Sequence, residues 1–256
     1  TGGNMHDSVK TLILDCQTMP LEGYFWKLWD VNIGLNQIKQ HGGVLSWAAK
    51  WKDKDEIYFS SAHHFGHENM VEAIWELLDE ADEVVGWNSN RFDIPHLNTE
   101  FLKEGLGPPS PYKKVDLLRT VKSVFKFPSN KLDYVSQALG FGTKVEHEGF
   151  PLWVACMEGK KKAWAKMREY NEHDVILTEQ HYNKLLPWIT TGVNRSAVKG
   201  GHVCPNCGSD HLHSRGNTTT LLLTYKRYQG QACGTWSRAK VAEKTGSRAN
   251  QLVLAR

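Results

Sequence analysis

The stretch LILDCQT at residues 12–18 decides how this chain is read. Leu12, Ile13 and Leu14 form the short apolar run of a buried strand, and Asp15 stands at its end. A carboxylate in that position can hold a hard cation or simply stop the strand. Cys16 and Gln17 follow, so the next polar side chain is an amide rather than a second acid. Whether Asp15 belongs to a metal site depends on acids elsewhere in the chain.

Outward from Asp15, residues 9–14 read as the first strand, and GGVLSWAAKW (42–51) and DEIYFSS (55–61) as two more, a three-stranded meander. HENMVEAIWELLDEAD (67–82) spaces Met70, Val71, Ile74, Leu77 and Leu78 on one helical face. EVVGWN (83–88) is a short apolar strand. DIPHLNTEFLKEG (93–105) reads as a helix with Pro95 in its first turn and Gly105 at its end. Residues 113–125 predict a strand end, Asp116 as N-cap and a helix; 131–140 and 160–189 predict two further helices. Strands, then strand–helix alternation, then a closing helix predict a mixed α/β layer fold.

The 256 residues suffice for one or two domains, with 40% hydrophobic and 23% charged residues. No apolar run reaches the ~20 residues of a membrane span, so no membrane partner is expected. No leader is evident, and Thr1-Gly2-Gly3-Asn4 ahead of Met5 reads as a cloning scar. Five cysteines in a chain this long do not make a disulfide framework, which predicts a reducing, cytoplasmic location. The net charge of +3 is uneven: residues 195–256 hold ten Lys/Arg and two acids, a local +8, leaving −5 for the rest. An acidic body with a basic tail fits a nucleic-acid partner or a merely solvated surface.

Two further acids complete a pattern with Asp15. Asp93 ends NSNRFD (88–93), just after the fourth apolar strand, and Asp174 ends YNEHD (170–174) in the last long helix. Tyr170 and Asp174 are four residues apart and share a helix face. Hard oxygen ligands of this kind suit Mg²⁺ or Mn²⁺. Each residue also has a plain structural role open to it: a strand end for Asp15, a helix cap for Asp93, a core aromatic for Tyr170, a solvated charge for Asp174.

In order, spacing and context the three segments resemble the DEDD superfamily of 3′–5′ exonucleases, tyrosine subclass, of the phage and proofreading-like kind. LDCQT resembles its Asp-x-Glu motif except at Gln17, NSNRFD its Asn-x-x-x-Phe/Tyr-Asp motif and YNEHD its Tyr-x-x-x-Asp motif. The resemblance covers roughly residues 8–188. It implies a ribonuclease-H-like mixed sheet flanked by helices. It also implies two Mg²⁺ or Mn²⁺ ions held by Asp15, position 17, Asp93 and Asp174, with Tyr170 positioning the attacking water. Asn88 and Phe92 would shape the site or touch the terminal nucleotide. The implied reaction is hydrolysis at the 3′ end of single-stranded DNA, with RNA open as substrate. Gln17 keeps the shape of a glutamate without its charge, so the chain reads as an impaired, engineered variant. The rival is a non-catalytic nucleic-acid-binding protein on the same fold. Protein partners are not legible.

The other polar and aromatic residues carry less. His63, His64 and His67 read as a solvated loop that could line the groove, and His173 as outside the ligand pattern. Cys16 and Cys156 read as buried thiols. Trp47, Trp51, Trp87 and Trp153 read as core more readily than as stacking platforms.

Residues 190–202 read as a linker, and the tail changes character after it. Cys204-x-x-Cys207 followed by Gly resembles one knuckle of a zinc ribbon, and GQACGTW (230–236) echoes it with Cys233 in register but Gly230 where the fourth cysteine belongs. Cys204, Cys207 and Cys233 are candidate Zn²⁺ ligands, with His202, His211 or His213 as possible fourth. Lys226, Arg227, Arg238 and Lys240 would face phosphate. The expected division is a tag remnant at 1–7, a nuclease-like domain at 8–189, the linker, and a basic zinc-ribbon-like β-module at 203–256.

Overall fold

The structure, a computed structural model, describes residues 9–243. The expected tag remnant, and the part of the basic tail that holds Lys244, Arg248 and Arg256, lie outside the described residues. The chain divides into two compact units, residues 10–183 and residues 184 onward.

The larger unit is built on β1 (Thr11–Thr18). Next come a small two-stranded ribbon, β2 (Glu22–Gly23) and β3 (Ile38–Gln40), and then β4 (Val44–Trp51) and β5 (Tyr58–Ser61). A single-turn helix α1 (Ala62–Phe65) leads into α2 (His67–Glu80), followed by β6 (Glu83–Gly86) and α3 (Asp93–Lys103). β7 (Lys113–Asp116) runs into α4 (Leu117–Val124), and α5 (Leu132–Ala138), α6 (Phe150–Met157) and the long α7 (Lys161–Leu185) follow. The five-stranded sheet has the order β5-β4-β1-β6-β7. β1 pairs antiparallel with β4 and parallel with β6, so the sheet is mixed. As expected, β4, β5 and β1 form an antiparallel meander.

Helices flank both faces. Leu12, Leu14, Trp47, Met70, Ile74, Leu78, Leu97 and Phe101 pack on one side, which brings α2 and α3 against the sheet. Leu45, Leu152, Trp164, Met167 and Tyr170 pack together as a second cluster, formed with α6 and α7. The apolar spacing read from residues 67–82 is the face α2 buries: Met70, Val71, Ile74 and Leu78 are all buried.

Two differences bear on the site. β1 runs four residues beyond the predicted end, because Cys16 and Gln17 keep pairing with Trp47 and Ser46. Asp15 and Gln17 are therefore inside a strand and, two apart, on one face. The helix α6 was not expected from the sequence; Pro151 in its first turn helps to start it.

In the smaller unit, the stretch expected as linker holds α8 (Arg195–Lys199), capped by the Asn194 side chain. β8 (Leu212–Thr219), β9 (Thr224–Gly230) and β10 (Trp236–Arg238) form a three-stranded sheet in the order β10-β9-β8. The run 218–229 was expected as one β-rich stretch; it turns at 220–223, where Thr220 N–H donates to Leu223 O at 2.8 Å.

Candidate active site

One cavity of about 670 Å³ is lined by Asp15, Gln17, Asn88, Phe92, Asp93, Lys144, Tyr170 and Asp174, among others. Every residue predicted for the nuclease site is in this lining. Asp15 and Gln17 come from β1, next to the end of the parallel strand β6. The chain leaves β6 and turns through Asn88, which sits at φ 67°, a left-handed conformation that asparagine tolerates better than most residues. Asn88 O accepts from the N–H groups of Arg91 and Phe92 at 3.0 Å each, and this turn delivers Asp93 to the first residue of α3. Asp116 caps α4 as expected, accepting from Arg119 N–H at 3.3 Å, and also accepts from Asn88 N–H at 3.1 Å, so it braces the same turn.

The polar contacts within the cavity are specific. Asp93 Oδ1 accepts from Cys16 N–H at 2.8 Å. Asp15 Oδ2 accepts from the Gln17 amide at 2.9 Å and from the Asn171 amide at 2.7 Å. Asn171 also accepts from the Ser46 hydroxyl at 3.0 Å, which ties α7 to β4 behind the site. Lys144 Nζ is paired with Asp174 Oδ2 and donates to the Tyr170 hydroxyl at 3.0 Å. The loop is pinned there because Lys144 N–H donates to Asp133 Oδ1 at 2.9 Å. Lys122 and Lys131 also line the cavity.

Asn171 and Lys144 were missed from sequence. Asn171 lies inside YNEHD, so its place beside Tyr170 was a usable signal. Lys144 comes from a loop without periodicity, and no signal pointed to it. Outside this cavity, His63 stacks parallel on Trp164 at 5.1 Å and His67 pairs with Glu100 at 3.1 Å, so these two are not free loop side chains. Cys16, Cys156 and Trp47 are buried as expected, while Trp51, Trp87 and Trp153 are only partly buried.

The electrostatics of the site are strained. Burial, then the Asp174 and Asp93 carboxylates, raise the Asp15 carboxyl well above its ordinary range. Burial raises Asp93 to about 6, and burial raises Asp174 despite the Lys144 ammonium beside it. Tyr170 is pushed up to about 12 by burial and by Asp174. Burial alone would depress Lys144, but Asp174 and Tyr170 outweigh it and hold its ammonium above the usual lysine value.

Asp174 Oδ1 is buried and has no hydrogen-bond partner among the described residues. Buried acids that raise one another's affinity for protons, with one oxygen unpaired, suit a divalent cation. The three carboxylates share the cavity but do not all lie within 4.8 Å of one another; among the described residues only the thiols of Cys204, Cys207 and Cys233 form so tight a set.

A pH dependence follows. A carboxyl whose folded pKa lies above its unfolded value binds more protons in the folded state, so stability falls as pH rises through that window. Without divalent ions the melting temperature should drop between about pH 4, the unfolded value, and pH 6, the Asp93 value, and should continue to drop as Asp15 ionises. Saturating Mg²⁺ should flatten the curve, and Asp15→Asn should reduce its slope. Thermal melts from pH 4 to 8, with and without Mg²⁺, check this; a metal-free stability that rises across the window refutes it.

In the smaller unit Cys204 is fully buried and its Sγ lies 3.5 Å from that of Cys233. Burial pushes Cys207 up to about 12, whereas bonds from Thr235 hold Cys233 below the ordinary thiol value against burial. His202, His211 and His213 are not part of the cluster formed by the thiols of Cys204, Cys207 and Cys233. The ring of His202 packs on Tyr228 at 4.5 Å, and His211 is exposed just ahead of β8. The basic residues are partly committed to their own module. Arg227 donates to Arg215 O at 3.0 and 3.1 Å and stacks over Trp236, Arg238 lies 4.0 Å over Tyr225, and Lys226 lies 3.9 Å from Glu243.

A search of curated proteins returns no match. A solved structure, that of the family B DNA polymerase from the hyperthermophilic archaeon Pyrobaculum calidifontis, is similar in fold with a TM-score of 0.54 and 19% sequence identity. The match covers 70% of this chain and 25% of the polymerase, so the chain spans about a quarter of that protein's length. The family model of the RNase_H superfamily (RNase_H_2) matches residues 34–186. That stretch includes Asp93, Tyr170 and Asp174 and begins after β1, so Asp15 and Gln17 join the site through the sheet rather than through the matched sequence. With more than half its length matched, and a mixed β5-β4-β1-β6-β7 sheet that gathers these acids into one cavity, the chain belongs to the RNase_H superfamily.

Proposed function

We propose that the chain is a metal-dependent 3′–5′ exonuclease of the DEDD tyrosine subclass acting on single-stranded DNA, impaired by Gln17. One observation carries this reading: Asp15, Asp93 and Asp174, from three distant segments, line a single cavity together with Tyr170. Asp15, the carbonyl oxygen of Gln17, Asp93 and Asp174 would hold two Mg²⁺ or Mn²⁺ ions. Such ions supply activation of water and charge neutralisation at the leaving 3′ oxygen.

The chain's own groups do the rest. The amide of Asn171 fixes the rotamer of Asp15. Tyr170 stays protonated at neutral pH, and its hydroxyl, braced by Lys144, orients the attacking water. Lys122 and Lys131 at the cavity wall supply phosphate contacts, while Phe92 and Asn88 shape the place of the terminal nucleotide. Cleavage of 5′-labelled single strands by the Gln17→Glu protein with Mn²⁺ is the deciding test. In that background Tyr170→Phe should leave Mn²⁺ binding intact and slow cleavage ~10²-fold or more, the scale of a lost general acid–base or positioning group. Calorimetry showing that Tyr170→Phe abolishes Mn²⁺ binding contradicts the role given to the hydroxyl.

A second reading, non-catalytic nucleic-acid binding, draws on two contacts. The Gln17 amide and the Lys144 ammonium satisfy Asp15 and Asp174 from within, where cations would otherwise act. Preference for DNA over RNA rests on 2′-hydroxyl contacts and is read by competition between matched deoxy and ribo oligonucleotides. For the smaller unit the proposal is a zinc-ribbon-like module that holds Zn²⁺ through Cys204, Cys207 and Cys233 and adds phosphate contacts through Lys226 and Arg238. The proposed division keeps a nuclease domain over 8–189 and this module over 203–256.

A further inference from the structure

Between β2 and β3 the chain runs out as an arm whose tip reads YFWKLWDVNIGL at residues 24–35. Four of its first six residues are aromatic, and all four are exposed: Trp26 is 98% exposed, Trp29 81%, Tyr24 69% and Phe25 53%. Scattered exposed aromatics are ordinary, but a contiguous set marks a binding surface.

At the foot of the arm opens a second cavity, of about 590 Å³, walled by Leu21, His63, Phe150 and Trp164. The His63 and Trp164 rings are nearly parallel there, 8° apart. Trp164 is buried, and its indole N–H has no hydrogen-bond partner among the described residues. Met19 lines the second cavity, packs against the cluster that contains Tyr170, and lies two residues beyond Gln17, which lines the first.

We propose that this cavity and the arm bind the bases of a single strand next to the nucleotide held in the catalytic cavity. One base enters the second cavity, and the following bases stack on Trp26 and Trp29. Flat aromatic walls and an unpaired donor suit a nucleobase, which offers a π-face and ring acceptors. The position suits it as well, because a strand whose 3′ end lies at Gln17 and Tyr170 has Met19 and the arm as its neighbours. Lys27, between the tip aromatics, provides a phosphate contact. The proposal rests on the nucleic-acid reading of the catalytic cavity.

The test is binding of fluorescent dT3 and dT12 to the full-length protein with Gln17 in place, against the double variant Trp26→Ser/Trp29→Ser. Both side chains are exposed, so the fold is not at stake. Loss of base stacking should weaken dT12 binding about tenfold to hundredfold, weaken binding of dT3, which offers the arm a single base, by less, and reduce the quenching of tryptophan fluorescence by dT12. Equal dT12 affinity in parent and variant overturns the proposal. So does a parent dimer that becomes a monomer in the variant with dT12 affinity unchanged, which would make the arm a self-association surface. Failure of Gln17→Glu to cleave, with arm-dependent dT12 binding intact, removes the exonuclease reading and leaves this one standing. A parent that binds neither oligonucleotide overturns both.

Discussion

Gln17→Glu is expected to raise metal-dependent cleavage of single strands by about 10²–10³-fold or more, the scale set by one preorganised electrostatic group in an active site. The structure gives the change a cost and a gain. The Gln17 amide now donates to Asp15 Oδ2 at 2.9 Å, and this contact favours the charged form of an acid that burial and two neighbouring carboxylates push the other way. A glutamate removes that donor and adds a fourth negative charge, so the metal-free variant should melt lower than the parent at pH 8. With Mn²⁺ the order should reverse, because the added carboxylate is a stronger ligand than an amide carbonyl. Melts and cleavage assays on one preparation therefore read two independent signs. A Gln17→Glu protein whose melting temperature rises with Mn²⁺ but which leaves labelled strands intact over hours would establish the metal site and sink the exonuclease. The non-catalytic reading would then hold.

What was legible in the sequence followed the regularity of the elements that carry it. Asp15, Asp93, Tyr170 and Asp174 sit on a strand, a strand–helix turn and a helix, whose periodicity shows which residues share a face. Even there the reading stopped β1 too soon, because the polar letters Asp15, Gln17 and Thr18 look like a strand's end. Pairing with β4 carries the strand through them. Lys144 was not legible for a physical reason: it reaches Asp174 from an aperiodic loop, and its place is set by non-local contacts such as those of Lys144 with Asp133 and of Thr143 with His173. The aromatic arm was passed over because residues 24–35 carry neither a strand nor a helix period, and only the structure shows Trp26 and Trp29 facing solvent. The helix α6 escaped because its apolar residues, PLWVAC, do not alternate with polar ones in a way that sets a period. The roles given to the acids came from the family resemblance and not from periodicity.

Gly230→Cys is expected to convert a weak or partial zinc site into one that fills to about one ion per chain. A Cβ built on Gly230 lies 3.3 Å from Cys204 Sγ and 3.6 Å from Cys233 Sγ, so a cysteine side chain there reaches the three-thiol cluster once the Cys204 side chain gives by a few tenths of an ångström. Gly230 is the last residue of β9, and its N–H donates to Thr235 O at 2.9 Å, a bond the substitution keeps. Zinc prefers four tetrahedral ligands in a closed structural site, and the cluster offers three. Structural zinc contributes on the order of 10–16 kcal/mol of apparent binding energy in small four-ligand modules. The missing thiolate should therefore be worth several orders of magnitude in affinity. Part of the effect is a proton balance: burial holds the Cys207 thiol up to about 12, so metal must displace its proton, and affinity should rise with pH in both proteins. Competition with a chelator of known affinity, together with melts of the metal-loaded proteins, measures both the gain and the added stability. If the Gly230 protein already holds one zinc as tightly as the cysteine variant, the fourth position is filled by a group other than a thiolate, and the glycine has cost the module nothing.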